Sequence, residues 1–211
     1  MKKLCYFINS DWYFDLHWTD RAIAARDAGY EIHIISHFVD DKIAEKFRTL
    51  GFVCHNIPLV AQSFNVLIFF RAFSKARKII QNINTDLLHC ITIKPCLIGG
   101  FLAKSTHRPV ILSFVGLGRV FSAESACLKL LRSFTVMAYK YIASNKCSLF
   151  MFEHDKELNL PIWLVSITNR LLLLMARVLI QRFTNTLWSS SVMFRSSFLP
   201  AVCCGVKDWV T

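Results

Sequence analysis

The chain has 211 residues, 54% of them hydrophobic, and its formal net charge is +11. This length fits one domain, or one domain and part of another, with ample apolar material for a core. The charge favours partners that bear phosphate, such as nucleic acid, anionic lipid or a nucleotide. The eight cysteines form no C-x-x-C pair and no zinc spacing, so they are predicted to be small core residues of a reduced, cytosolic protein.

The apolar run at the amino terminus is too short for a signal peptide and breaks at Asn9. Six short apolar runs of strand length follow one another along the chain, and five stretches of helical period lie between them. Strands are predicted at 3–9, 31–36, 52–57, 86–91, 109–115 and 147–152, and helices at 19–29, 41–50, 66–84, 95–106 and 124–145. This alternation predicts an α/β fold, a Rossmann-like doubly wound parallel sheet that ends near residue 157.

In such a sheet the functional groups gather at the carboxyl ends of the strands. Here those ends read SDWYFDLHW (10–18), SHFVDD (36–41), TIKP (92–95), VGLGRVF (115–121) and EHDKE (153–157). The fingerprint G-x-G-x-x-G does not follow the first strand, which disfavours hydride transfer on a nicotinamide.

Two of these segments suit an anion. Gly116 and Gly118 precede Arg119 and would let backbone amides approach an anion closely, although a tight turn explains the glycines equally. Lys94 follows a strand and would bring a positive charge to a phosphate or an acidic group, with a solvated loop lysine as the alternative.

Other candidates have plainer alternatives. His17 lies in an aromatic loop with Trp12, Tyr13, Phe14 and Trp18, and either serves as an acid, base or sugar-binding group or simply packs. His89 and Cys90 are expected inside a buried strand as core groups.

Glu153, Asp155 and Glu157 form an acidic cluster. Such clusters are mostly solvated helix starts, and a paired-carboxylate mechanism requires a facing geometry. Segments 71–78 and 128–140 mix basic, aromatic and apolar residues, which suits either an anionic lipid surface or a core helix with a solvated edge.

Four segments in order, DWYFDLHWTDRAIAARDAGYEIHIIS, TIKPCLIGG, FVGLGRVF and FMFEHDKE, resemble the N-terminal domain of family 4 glycosyltransferases of the two-Rossmann GT-B type. The subgroup they resemble assembles O-antigen, capsule or glycoprotein oligosaccharides on polyprenyl diphosphate. The resemblance covers about residues 1–157. It implies a retaining transferase whose N-terminal half holds the acceptor and whose C-terminal half binds a UDP-sugar that donates a hexose or N-acetylhexosamine.

In that scheme the loops at Trp12 and His17, at Thr92 and Lys94, and at Gly116, Gly118 and Arg119 face the cleft between the halves, and Glu153 is a further candidate. The resemblance assigns no catalytic residue and implies no metal and no cofactor besides the donor. The expected partners are the nucleotide-sugar and a polyprenyl-diphosphate-linked saccharide.

The last 54 residues, 158–211, hold one carboxylate, Asp208, against thirteen before them, and they lack the turn that opens the family's donor domain. A shifted reading frame of the same codons restores that turn: Met175 followed by Ala176 must give glycine, and the neighbouring pairs permit D-G-[AS]-G-[VI]-[DN]. Residues 193–211 permit a following strand with an Arg and a Lys five residues apart. The sequence therefore predicts an out-of-frame tail created by a frameshift near codons 155–162, and a chain without transferase activity of its own.

A second class of function is a non-enzymatic, Rossmann-like binding module with a membrane-seeking tail. Segment 161–180 is apolar and long, but Asn169, Arg170 and Arg177 would be costly inside a bilayer. Nucleic-acid binding is disfavoured because the basic residues are scattered and no groove-reading motif appears. The expected location is the cytoplasm, with a peripheral site on the inner face of the plasma membrane as an option.

Overall fold

The computed structural model describes residues 1–61, 63, 65–115, 126–145 and 147–152, all of which lie in one compact unit, Met1–Pro161. The strands are β1 (Lys2–Phe7), β2 (Tyr30–Ser36), β3 (Val53–Asn56), β4 (Leu87–Ile91), β5 (Val110–Phe114) and β6 (Ser148–Phe152). The helices are α1 (Asp11–His17), α2 (Thr19–Asp27), α3 (Asp41–Thr49), α4 (Val66–Ile83), α5 (Ile93–Thr106) and α6 (Ala126–Ala143).

The six strands form one sheet in the order β3-β2-β1-β4-β5-β6, and every pair is parallel. The register pairs Leu4 of β1 with Ile32 of β2 on one side and with Leu87 of β4 on the other. All six predicted strands are present, since both faces of a parallel sheet are buried and its strands are nearly continuous apolar runs. The predicted fold class, a Rossmann-like α/β sheet, is confirmed.

The two faces of the sheet are covered by different helices. Successive residues of β1 alternate between faces, and Leu4, Tyr6 and Ile8 join a buried cluster with residues of α1, α2 and α3. On the opposite face, Cys90 of β4 lies directly under α5. Cys5, Cys90 and Cys96 are fully buried free thiols, which agrees with their predicted place in the core.

Helix ends follow local chemistry. The side chain of Asp40 accepts a hydrogen bond from Lys42 N (2.8 Å) at the start of α3, and that of Asn65 accepts from Leu67 N (2.9 Å) at the start of α4. Helix α4 ends at Ile83 and is capped by Asn84, whose left-handed conformation (φ 54°) suits asparagine. Among the described helices, none combines the length and the apolar character needed to cross a bilayer.

One helix was not predicted, and the bounds of the predicted helices differ from the observed ones by one or two residues at several ends. Residues 10–18 were expected as a loop, but Asp11–His17 form the two-turn helix α1. Helix α5 begins at Ile93 rather than at 95, because Pro95 falls within the first turn, where a missing amide hydrogen costs nothing.

Candidate functional site

The strand order places a crevice between β1 and β4. The chain leaves β1 toward one edge of the sheet and β4 toward the other, so the connections after these strands separate at their carboxyl ends. In open α/β sheets this switch point is where ligands bind. The residues that follow are Ser10 and Asp11 after β1, and Thr92 to Lys94 after β4.

Helix α1 presents an aromatic surface at this edge. Trp12 is 59% exposed, and its ring contacts Tyr13 edge-on with centroids 5.7 Å apart. The Tyr13 ring also lies 4.5 Å from that of His17, which is exposed. Phe14 and Trp18, predicted in the same segment, are buried in the core instead. Flat, half-exposed rings of this kind suit the faces of sugar rings, and binding by Trp12 and His17 stays a prediction.

Asp11 is not among the predicted site residues, yet it joins two connections at the carboxyl edge of the sheet. It is 2% exposed, and its carboxylate accepts hydrogen bonds from the backbone amides of Trp12 (2.8 Å), Val39 (2.9 Å) and Asp40 (3.3 Å). Asp11 therefore ties the β2–α3 connection to the start of α1. In the sequence, the only sign of this role is that an acidic residue is favoured in the first turn of a helix.

Thr92 lies at the carboxyl end of β4 in a conformation that side chains rarely adopt, with φ 75° and ψ 162°. Its amide donates to the Ser113 carbonyl of β5 (3.0 Å), and its carbonyl accepts from Cys96 N (3.0 Å) inside α5. The hydroxyl is buried without a hydrogen-bond partner. Such strain costs about 1–3 kcal/mol and concentrates at functional sites.

Replacing Thr92 with glycine is expected to stabilise the chain slightly, by about 1 kcal/mol, because relief of strain exceeds the added entropy of the unfolded glycine. Urea unfolding of Thr92→Gly and of the control Thr92→Ala, which keeps the strain, measures the difference. Equal or lower stability of the glycine variant relative to the alanine variant would show that the backbone at this position is unstrained.

Lys94 is held by the protein itself. Its Nζ donates to the carbonyls of Val60 (2.8 Å), Ala61 (2.8 Å) and Ser63 (2.6 Å), in the connection between β3 and α4. Burial lowers the pKa of its ammonium below the ordinary value. Its predicted contact with a phosphate or acidic group therefore stays a prediction, since in this structure the ammonium is bonded to carbonyl oxygens.

His89 is a core group, as predicted. Its Nε2 lies 2.8 Å from Ser113 Oγ, and its ring packs against Tyr6 and Trp18 with centroids 5.4 and 4.8 Å apart. Burial lowers the pKa of His89 to about 3, with a smaller contribution from Arg21. The imidazole is therefore neutral at physiological pH.

A chain of ionisable groups crosses β2 and β3. His33 Nε2 lies 2.9 Å from Glu31 Oε1, and His33 Nδ1 lies 3.1 Å from His55 Nε2. Because a carboxylate only accepts, His33 donates from Nε2 and accepts from His55 at Nδ1. Burial lowers the pKa of both imidazoles, and the charge of His33 lowers that of His55 further.

Four predicted site residues, Gly116, Gly118, Arg119 and Glu153, lie outside the described residues, as do Asp155 and Glu157. Of the remaining candidates, the structure brings Thr92 and Lys94 together at the start of α5 and places Trp12 and His17 on α1. Within the described ranges, no group of three or more His, Cys, Asp or Glu side chains is arranged to hold a metal ion.

Comparison with known families gives a match over most of the domain. The sequence profile of the family described as glycosyl transferase 4-like matches residues 3–148. The chain belongs to the glycosyl transferase 4-like family. The match includes all the strands through β5 and the connections that carry Trp12, His17, Thr92 and Lys94. No curated protein sequence matches this family member.

Several solved structures are similar at low identity. The calicheamicin glycosyltransferase CalG4 is 12% identical, with a TM-score of 0.46 over 75% of this chain and 49% of CalG4. SsfS6, a glycosyltransferase from Streptomyces sp. SF2575, is 13% identical, with a TM-score of 0.41 over 68% of this chain and 46% of SsfS6. A glycosyltransferase from Rickettsia africae ESF-5 is 13% identical, with a TM-score of 0.47 over 71% of this chain and 42% of that protein. This chain thus spans less than half the length of each of these structures.

Proposed function

We propose that this chain is the acceptor-side half of a GT-B glycosyltransferase. Membership of the glycosyl transferase 4-like family, over residues 3–148, is the observation that carries the proposal. The intact enzyme transfers a hexose or N-acetylhexosamine, with retention of configuration, from a UDP-sugar to a polyprenyl-diphosphate-linked saccharide in surface polysaccharide synthesis of the O-antigen kind. It works in the cytoplasm at the inner face of the membrane and uses no metal or further cofactor.

The arrangement at the carboxyl edge of the sheet supports an acceptor site. The exposed ring of Trp12, with Tyr13 beside it, suits stacking against a sugar face, and His17 adds a group that can donate or accept a hydrogen bond. Across the crevice, the strained Thr92 lies directly before the start of α5, with its hydroxyl buried. In the reaction, positive groups and backbone amides stabilise the departing diphosphate, where negative charge develops.

The donor-binding half is proposed to be encoded downstream in another frame, the family's donor-domain turn being permitted by the shifted codons around Met175. We therefore expect the purified 211-residue chain to show no turnover with UDP-sugars and a polyprenyl-diphosphate acceptor. Sequencing the gene from codon 150 to several hundred bases beyond the codon for Thr211 tests the cause. A shifted frame that continues into a donor domain supports the frameshift, and one that closes at once contradicts it.

The same gene allows a direct test of the function. Removing the proposed frameshift and expressing the restored chain is expected to yield transfer from a UDP-sugar, with the unrepaired chain as the matched control. Turnover by the unrepaired chain would contradict its proposed inactivity, and absence of turnover by a folded, restored chain across UDP-hexoses and UDP-N-acetylhexosamines would contradict the transferase assignment itself.

A second candidate function, peripheral membrane binding, is favoured by helix α4. Its inner side is buried through Ala72, Ala76 and Ile80. Its outer side carries an apolar start and a basic continuation around a shallow depression lined by Leu67, Phe70, Arg71, Ser74, Lys75 and Lys78. Leu67 and Phe70 are 70% and 62% exposed. This pattern suits insertion at an anionic lipid surface, and it is also what a non-enzymatic binding module would use. The predicted tail segment 161–180 lies outside the described residues.

Vesicle binding by α4 makes a specific prediction. Lys75→Glu with Lys78→Glu is expected to weaken binding to phosphatidylglycerol-containing vesicles by more than about tenfold, since each basic residue near such a surface contributes about 1 kcal/mol. Co-sedimentation at increasing salt measures it. The control Lys2→Glu with Lys42→Glu makes the same charge change at exposed positions off α4. Equal loss in both variants would indicate a general charge effect.

A further inference from the structure

The connection between β3 and α4 is attached to the start of α5 through one side chain. We call this connection, residues 57–65, the strap; residues 57–61, 63 and 65 are described. An ammonium has three hydrogens, and Lys94 directs hydrogen bonds to three strap carbonyls, those of Val60, Ala61 and Ser63. The three acceptors lie 31 to 34 residues earlier in the chain, so these bonds join distant segments.

The position of the Lys94 ammonium is unfavourable when α5 is considered without the strap. Lys94 is the second residue of α5, where the helix dipole disfavours a positive charge. It is also partly removed from water, and it follows Thr92, whose backbone is strained at φ 75°. Carbonyl oxygens that converge on the ammonium offset the unfavourable dipole and the lost hydration, because hydrogen bonds to a charged donor are stronger than neutral ones.

The start of α5 that carries Lys94 is itself fixed. Tyr139 of α6 donates a hydrogen bond from its hydroxyl to the carbonyl of Ile93 (3.0 Å), on the residue next to Lys94. The strap has other hydrogen bonds near its two ends: Ile57 N donates to Ser36 O (2.9 Å), Leu59 N to Ile57 O (2.9 Å) and Asn65 N to Ser63 Oγ (3.2 Å), and His37 Nδ1 lies 3.2 Å from Ile57 O. Across its middle, Ser63 N donates to Val60 O at the longer distance of 3.4 Å. Lys94 therefore transmits the fixed position of α5 to the middle of the strap.

We propose that Lys94 is a positioning residue that latches the strap across the carboxyl edge of the sheet. The strap then forms a wall beside Thr92, and its far end sets the position of the exposed apolar start of α4. The latch thus links the crevice to the α4 surface. Its role in substrate binding rests on the proposed transferase function, whereas the latch itself is a property of the isolated chain.

Hydrogen exchange followed by mass spectrometry on the full 211-residue chain tests the latch without any substrate. Lys94→Met keeps an unbranched apolar stem of the same length, with a sulfur in place of one methylene, and removes the ammonium. We expect amides in peptides covering 57–65 to exchange at least about tenfold faster in this variant, because the loss of charge-assisted hydrogen bonds favours local opening. Peptides from β1 and β4 should exchange as in the wild type.

Lys104 provides a matched control on the same helix. Its Nζ donates to Tyr141 O (2.6 Å) and to the Ser144 hydroxyl, so Lys104→Met makes the same change near the other end of α5. It should accelerate exchange around 141–145 and leave the strap unchanged. Lys94→Arg retains a cationic donor, but its planar guanidinium does not match three acceptors around one nitrogen, so intermediate strap exchange is expected.

The outcomes separate cleanly. Faster exchange confined to the strap in Lys94→Met, partly reversed in Lys94→Arg, supports the latch. Strap exchange within about twofold of the wild type in Lys94→Met, or acceleration spread evenly over the sheet, overturns it. If Lys94→Met does not fold, Lys94→Arg decides, because unchanged strap exchange in that variant overturns the proposal. None of these results depends on whether the intact protein transfers sugar.

Discussion

The free energy of unfolding is expected to fall by about 4 kcal/mol between pH 6.5 and pH 3 because of His89 alone. Burial holds the folded-state pKa of this imidazole at about 3, whereas its ordinary value is 6.5. Between these values the unfolded chain binds a proton that the folded chain does not. The contribution is therefore fully present above pH 6.5 and is lost progressively as the pH falls toward 3.

His33 and His55 also lower the free energy of unfolding as the pH falls. Burial lowers the pKa of both, so each also favours the unfolded chain as the pH falls below 6.5. A protonated His33 donates to Glu31 from Nε2 and to His55 from Nδ1, so both hydrogen bonds are kept when His55 accepts at Nε2. Glu31 raises the pKa of His33, and the charge of His33 lowers that of His55, so proton uptake by this pair in the folded chain is expected first at His33.

Urea unfolding at a series of pH values measures the effect of His89. His89→Gln retains a polar group for Ser113 and cannot titrate, so the dependence of stability on pH should weaken by about 1.4 kcal/mol per pH unit within the window. His107→Asn is the control, since His107 is exposed and its left-handed backbone (φ 52°) tolerates asparagine. An unchanged slope in His89→Gln would show that this imidazole is protonated in the folded chain.

Replacing Gly99 with alanine is expected to destabilise the domain by about 3 kcal/mol, the upper part of the usual range for overpacking. A Cβ at this position would lie 2.1 Å from Cys90 Sγ and 3.2 Å from Leu88 Cδ2. Cys90 belongs to a central strand and is fully buried, so neither side of the contact moves freely. Thermal and urea unfolding of Gly99→Ala measure the loss.

A compensating variant isolates the cause of that loss. Cys90→Ala removes the sulfur that the new methyl group would meet, so the double variant should recover part of the stability lost in Gly99→Ala. If the two changes are simply additive, contact between α5 and β4 does not explain the effect of the alanine.

Sequence patterns predicted the strands well because a parallel sheet is buried on both faces, and runs such as EIHIIS show this without any knowledge of partners. Helix α1 was missed since it has only two turns and combines buried Phe14 with exposed Trp12. The backbone of Thr92 could not be anticipated, because threonine at φ 75° contradicts its local preference and is held by the surrounding sheet.

The site shows the same division. The positions of Thr92 and Lys94 followed from the rule that parallel strands present their carboxyl ends at one edge. The hydrogen-bond partners of Lys94 could not be predicted in this way, because they are backbone carbonyls of a connection whose path depends on the tertiary fold. Asp11 was overlooked for a similar reason, since two of its three donors, Val39 and Asp40, belong to the connection after β2.

The two consecutive glycines of α5 have a consequence for how a ligand would be accommodated. A Cβ on Gly99 would meet β4, and one on Gly100 would lie 2.7 Å from Ile142 of α6, so the helix is in close contact on both sides. Successive residues of a helix are about 100° apart around its axis. Rotation of α5 by that angle would therefore place the side chain of a neighbouring residue where Gly99 or Gly100 now contacts its partner. Helix α5 is thus prevented from rotating about its axis, and its amino end is a fixed surface. For the proposed acceptor, any adjustment to molecules of different size would then come from the other wall of the crevice.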